Sequence, residues 1–345
     1  MQQDPKLVRR PPPKVPSSVA LAGKIRLDMV VSGTDGRPVA GLEPSDFRVT
    51  DERKPAKILS FRGFDGVAVK PNQPVEVILV IDEVNLPFQQ VAFVKSELSK
   101  FLRQNNGRLA QPVSIMRLTD AGLRVQAKPT LDGNAEESVV NQIKGEIGFI
   151  NPAMGVEGAL QRLQISERAL ASIAENEVKK PDRKLLIWVG PGWPMLESAQ
   201  FVTPNDTNRR RYFDAIVELT NKLREAHITV NSVTGGDPNV GEGGSRGFLY
   251  ESFLKAVRTP RQAAAGNLAL KVMAVQTGGR ILGPGNDLAG QINECVADAN
   301  EFYSITFNPP PAGSADEYHE LKVEINKPGL TVRTNAGYYN EPKGN

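Results

Sequence analysis

The hydrophobic period of this chain changes twice along its 345 residues, and that constrains its fold more tightly than any single motif. From Lys24 to about Phe64 the apolar residues alternate, with Ile25, Leu27, Met29 and Val31 on one face of a strand. A turn, Thr34-Asp35-Gly36-Arg37-Pro38, follows, and then short strands around Phe47–Val49 and Ile58–Phe61. From Val75 to about Phe302 strands alternate with helices. Val75–Ile81 is a continuous apolar run, as expected of a strand buried on both faces. A helix is expected from Pro87, with Val91, Val94, Leu98, Phe101 and Leu102 at spacings of three and four. Asn105-Asn106-Gly107 supplies a left-handed stop. Pro112–Leu118 and Leu123–Ala127 read as a hairpin through Asp120-Ala121-Gly122. Further on, the pattern predicts a long helix over 154–177, a strand at Leu185–Val189 and a helix from Asn205-Asp206-Thr207 to Ala226. A strand at Ile228–Val233, a helix near Arg261–Gln276 and a last helix complete this zone. That helix puts Leu288, Ile292, Cys295, Val296 and Ala299 on one stripe, which makes Cys295 a small core residue. After Phe302 the alternation returns at Phe302–Phe307, Leu321–Ile325, Thr331–Arg333 and Tyr338-Tyr339.

Each terminal zone alone offers about three strands, too few to bury a face. Paired, they make one β-sandwich with an α/β domain inserted. The expected division is a Pro-rich extended segment over 1–19, sandwich strands over 20–68, the α/β domain over 72–302 and the remaining sandwich strands over 303–340. Two chain crossings, near Pro71–Pro74 and Ala299–Tyr303, join the two parts.

Composition removes several function classes. A net charge of +3 is too weak to argue for nucleic acid, and no apolar run approaches the ~18–20 residues of a membrane span. One cysteine makes no internal disulfide, and two histidines, His227 and His319, build no His-rich metal site. His227 reads as a helix-end residue suited to a protonated imidazole, and His319 begins an edge-like β segment; each is expected to have a structural or surface role. Met1-Gln2-Gln3-Asp4 shows no signal peptide. A secreted chain whose signal was removed would look like this, and so would a cytoplasmic protein.

A buried first strand ending in Asp82 marks a doubly wound sheet whose functional edge lies at the strand carboxyl ends. No glycine fingerprint follows that strand and no Gly-Lys-Ser/Thr loop occurs, which argues against nucleotides. Neither histidine has a nucleophile motif beside it, and no pair of carboxylates is singled out for glycoside chemistry. Arg209-Arg210-Arg211 reads as a solvated helix face rather than a phosphate grip.

The strand Val77–Asp82, its helix, the hairpin and the strand Leu185–Gly190 resemble a von Willebrand factor A (VWFA) domain. Asp35-Gly36-Arg37-Pro38-Val39-Ala40-Gly41-Leu42 with Asp46-Phe47 resembles the leader of VWFA-related proteins of the acidobacterial type. The tail is similar too, with His319–Val323, Pro328-Gly329-Leu330 and Gly337-Tyr338-Tyr339. The resemblance implies a Rossmann-like domain, a central mostly parallel sheet flanked by helices, inserted in a β-sandwich formed by the N- and C-terminal segments.

It also implies a metal-ion-dependent adhesion site, built from Asp-x-Ser-x-Ser, a loop threonine and a loop aspartate around an ion such as Mg²⁺. Here Asp82 is kept, but the serine positions fall on Val84 and Leu86, the threonine loop on Gly148–Asn151 and the last aspartate near Gly190-Pro191. The site therefore reads as degenerate, with no cofactor and no tight Mg²⁺ or Mn²⁺ binding. A non-standard cation site would draw on Asp82, Glu83, Asn85, Asp120, Asn151 and Asp237. The simpler expectation has Asp82 capping the adjacent helix.

The functional expectation is a non-enzymatic, secreted or envelope-associated protein-binding or adhesion module. It would dock a protein partner through loops carrying Asp82, Glu83, Asn85, Asn151, Trp193, Asp237 and Tyr250. Within these, Trp193 in an edge loop and the aromatics after the glycine-rich run Gly235–Gly247 are the expected contacts. Two alternatives stand beside it: a structural subunit that self-assembles into a filament or lattice, and a metal-dependent adhesin with a non-standard site.

Overall fold

The computed structural model describes residues 23–65, 75–125, 128–143, 155–193, 205–235 and 250–342. The amino-terminal strands are β1 (Ile25–Ser32), β2 (Phe47–Asp51), β3 (Lys54–Pro55) and β4 (Ser60–Asp65). Next come β5 (Val75–Asp82), α1 (Phe88–Leu102), α2 (Gln104–Gly107), β6 (Arg108–Thr119), β7 (Gly122–Val125), β8 (Thr130–Asp132) and α3 (Gly133–Asn141). The middle continues with α4 (Gly155–Glu177), β9 (Arg183–Val189), α5 (Asp206–Glu225), β10 (Ile228–Val233), α6 (Leu270–Gln276), β11 (Ile281–Leu282) and α7 (Leu288–Ala297). The last strands are β12 (Glu301–Phe307), β13 (Glu317–Ile325), β14 (Thr331–Arg333) and β15 (Gly337–Asn340).

The two chain ends interleave. One antiparallel sheet runs β14-β1-β12-β4 and its partner runs β15-β13-β2-β3, so each sheet takes strands from both termini. Neither end can bury its face alone. Between the sheets lie Leu27, Met29, Phe47, Val49, Tyr303, Ile305, Phe307 and Tyr338. The inserted part has a sheet in the order β11-β10-β9-β5-β6-β7. Its pairs β11-β10, β10-β9, β9-β5 and β5-β6 are parallel, and only the β7 and β8 pairings to β6 are antiparallel. Every residue of β5 and of β9 is buried, because helices cover both faces. This is the Rossmann-like sheet within a sandwich that the resemblance implies.

The stop at Asn105-Asn106-Gly107 is observed, with φ of 51°, 59° and 80°. Two local expectations change. The strand expected from Pro112 starts at Arg108 and meets β8 through an irregular register that accommodates a proline without an N–H donor. The helix expected near Arg261–Gln276 divides into the 3₁₀ turns Pro260–Gln262 and Ala265–Leu268 before α6. Side chains drive that division: Gln262 accepts from the Arg258 and Thr259 N–H groups, and Asn267 accepts from the Ala264 N–H while donating to the Phe253 carbonyl.

Parallel β5 and the end of α7 both put the sandwich at the amino-terminal edge of the sheet, opposite the loops. Charges hold that junction. Asp298, 1% exposed, accepts from Arg280 at 2.8 and 3.0 Å and from Arg333 at 2.8 and 2.9 Å. Arg183 donates to the Asp298 carbonyl at 2.7 Å and lies 4.6 Å over the Phe302 ring. His227 sits here in a left-handed conformation (φ 55°), its Nδ1 3.8 Å from Asp28. Burial pushes its imidazole down to about 4, which corrects the expectation of a protonated helix-end histidine. His319 is buried in the sandwich, stacked on Tyr338 and 2.8 Å from Asp51, which also accepts from the Tyr338 hydroxyl. Cys295 is fully buried on α7.

Candidate functional site

The carboxyl-terminal edge of the sheet opens above Asp82, the last residue of β5. Apolar neighbours on both faces of β5 leave this carboxylate wholly buried. Its partners are local and structural. The Trp188 indole N–H donates to Oδ2 at 2.8 Å from the neighbouring strand β9. The Asn85 backbone N–H donates to Oδ1 at 3.0 Å, and the Asn85 side-chain nitrogen lies 3.0 and 2.9 Å from the two oxygens. That nitrogen also reaches Ser166 on α4 at 3.2 Å. Burial pushes the Asp82 carboxyl up to about 6, with the donors of Asn85, Trp188 and Val84 opposing it.

Asp82 therefore braces the loop 83–86, which its own carbonyl closes by accepting from the Leu86 N–H at 3.0 Å. It does not cap α1, as expected from sequence. That helix begins at Phe88, after Pro87, and has no side-chain cap. The neighbouring Glu83 is committed as well, forming a two-pronged ion pair with Arg117 of β6. Burial pulls the Arg162 guanidinium of α4 below its ordinary value, with the Asp82 and Asp120 carboxylates opposing that shift.

These groups do not fit a divalent ion. A hard cation wants about six oxygen ligands. The positions of the two serines hold Val84 and Leu86, which offer no side-chain oxygen. Near the expected place of the last aspartate is Gly190, where a Cβ would lie only 2.9 Å from the Asp82 Cβ. Both Asp82 oxygens already accept hydrogen bonds. Among the described residues no group of three or more His, Cys, Asp or Glu is placed to hold a metal.

The other sequence candidates separate. Trp193 was expected as an edge contact, but it is 3% exposed. Its indole N–H donates to the Leu268 carbonyl at 2.9 Å and its ring meets Trp188 edge-on at 4.9 Å. Asp82, equally sealed, is likewise no contact residue. Asn85 and Glu83 are half-buried, and Tyr250 opens a 3₁₀ turn whose side chains pack on the core. Asn151 and Asp237 lie outside the described residues, as do most of the loops around them. Of the arginine run, Arg210 pairs with Asp214 at 2.8 Å and Arg211 lies 5.6 Å over Tyr212, in keeping with a helix face.

Phe88 is the edge residue that the sequence pattern did not single out. It opens α1 directly after the loop that Asp82 braces and is 63% exposed, while Gln90, two residues on, is buried. Packing leaves the Phe88 ring outward and buries Gln90, although Phe88 stands three residues before Val91 in the apolar spacing of α1. Its ring is open to solvent at the start of α1, beside the loop 83–86.

No protein-family model matches the chain, and no curated protein sequence matches it. Solved structures similar to it include a von Willebrand factor type A protein from Catenulispora acidiphila, at 10% identity over 92% of this chain and 75% of that one, with a TM-score of 0.36. Another is the pilus adhesin SpaC of Lactobacillus rhamnosus GG in its open conformation, at 9% identity over 87% and 48%, with a TM-score of 0.36. A variant of the PilB minor pilin of Streptococcus sanguinis matches at 10% identity over 66% and 64%, with a TM-score of 0.33. The fold assignment rests on the strand order itself.

Proposed function

We propose that this von Willebrand factor A-like chain is a non-enzymatic protein-binding module of the secreted or envelope compartment, docking a protein partner at the carboxyl-terminal edge of its sheet without a metal ion. The observation that carries the reading is Phe88, 63% exposed at the start of α1 beside a carboxylate that has no free oxygen. Recognition at this edge is by aromatic and backbone groups. The Asp82–Trp188–Asn85 bonds serve to hold the loop that presents Phe88 in one conformation, which lowers the entropy lost on docking. The secreted or envelope setting rests on the sequence resemblance of the leader and tail. No helix of the described residues is long and apolar enough to cross a membrane.

The test is capture from an envelope and culture extract of the source organism on immobilised wild-type protein and on Phe88→Ser, each with and without EDTA. Partner capture that survives EDTA and is lost with Phe88→Ser supports the reading. Capture abolished by EDTA, or unchanged by Phe88→Ser, contradicts it.

A further inference from the structure

The sandwich has two open sides, and the fold treats them differently. On one side run β14 and β15, and the inserted domain closes it. The Asn221 carboxamide of α5 acts there as a surrogate strand, donating to the Tyr339 carbonyl at 3.0 Å and accepting from the Tyr339 N–H at 3.1 Å. Phe213 meets the Tyr339 ring edge-on at 5.9 Å, and Arg333 is held by Asp298. On the other side run β3 and β4, each last in its sheet and paired along one side only. No described residue supplies a strand to either. Alternate backbone groups of β4 face outward, a template for another strand.

Between these two edges lies a groove of about 500 Å³. It is lined by Phe47 and Val49 of β2, by Phe61 of β4 and by Ala56, Ile58 and Leu59, the last 43% exposed. Its surroundings are basic. Arg48 lines the groove, and Arg53, Lys54, Lys57 and Arg62 stand within two residues of lining positions in the chain, all five exposed. Of the nearby carboxylates, Asp46 pairs with Lys327 at 2.8 Å, Asp51 with His319 and Glu52 with Arg258 at 2.9 Å, while Glu324, paired with Lys322, stands opposite Arg48 in the β2–β13 register. No ion pair involves Arg53, Lys54, Lys57 or Arg62 among the described residues.

We infer that the β3–β4 edge binds an extended acidic peptide segment of a protein partner by strand addition to β4, with alternate apolar side chains in the groove and the acidic ones against its basic surroundings. Backbone bonds to β4 supply affinity and the groove and its surroundings supply selectivity. Charge decides against the other occupants. Residues 1–22 carry Lys6, Arg9, Arg10 and Lys14 against Asp4, and Pro11-Pro12-Pro13 lack the donors a strand needs. A second copy joined edge to edge would set one basic face against another. This face lies apart from the loop edge, so Phe88→Ser leaves it intact.

The test uses the full chain and a fluorescein-labelled peptide of about nine residues alternating Glu or Asp with Val or Ile, the length of an ordinary strand or slightly more. Its counterpart carries Lys at each acidic position. Anisotropy is expected to show the acidic peptide binding at least about tenfold more tightly, with the difference shrinking as salt screens those charges. Hydrogen exchange is expected to slow in β4. The variant Arg48→Glu/Lys57→Glu/Arg62→Glu changes only exposed side chains and is expected to invert the preference while melting as the wild type does. Failure of both peptides to bind, equal affinity for the two, or protection confined to another strand would overturn the inference. So would light scattering that shows a dimer protected at β4, or faster β4 exchange on removing residues 1–22.

Discussion

The indole nitrogen of Trp188 stands 2.8 Å from Oδ2 of Asp82 inside the parallel sheet, both side chains fully buried. This donor favours the charged carboxylate, whereas burial has already raised that group to about 6. Because the folded value lies above the unfolded one, stability falls as pH rises through that window. Trp188→Phe removes the donor and raises the carboxyl further. It is expected to cost about 2–4 kcal/mol by urea unfolding, for the lost bond to a charged group and the space left behind. The loss is expected to be larger at pH 8 than at pH 5.

Asp298 is the anion of the interdomain junction. Asp298→Ala leaves Arg280 and Arg333 facing each other at a buried site, with Arg183 close by, and is expected to destabilise the protein by about 3–5 kcal/mol. Asp298→Asn keeps the shape without the charge and is expected to fall between that variant and the wild type. Urea midpoints measured for all three check the order.

His227 makes the opposite contribution to that of Asp82. Its folded value, about 4, lies below the usual 6.5, so the native imidazole is neutral while the unfolded one takes up a proton as pH drops. Wild type is therefore expected to lose about 2–3 kcal/mol relative to His227→Asn between pH 7 and pH 4. Asparagine tolerates the left-handed backbone at this position. Paired unfolding curves across that range check the sign.

Asn221→Leu strips the surrogate strand from β15 and leaves two backbone groups of Tyr339 without partners. A loss of about 1–3 kcal/mol is expected, with faster amide exchange at Tyr339 than at its neighbours on β13. Exchange unchanged at Tyr339 would show that the carboxamide does not protect that edge.

Local signals were legible where they were redundant. The alternation Ile25, Leu27, Met29 and the unbroken run of β5 each leave one way to bury apolar area, and strands from both termini indeed share the two sheets. Non-local partners were not legible. Trp193 reads as exposed in its Gly-Pro loop because the Leu268 carbonyl that receives its N–H comes from a distant segment. Phe88 continues the apolar spacing of α1, yet packing turns it outward and takes Gln90 in. The loss of the cation ligands was visible in Val84 and Leu86. That Trp188 and Asn85 take up the remaining carboxylate could be seen only once β9 lay beside β5.

The most direct measurement is calorimetric titration of Mg²⁺ and of Mn²⁺ into the full chain and into Asp82→Ala at pH 7.5. A carboxylate already bound to Trp188 and Asn85 predicts no saturable heat from either protein. Micromolar uptake by the wild type that disappears in Asp82→Ala would contradict the account and return the edge to metal-borne adhesion.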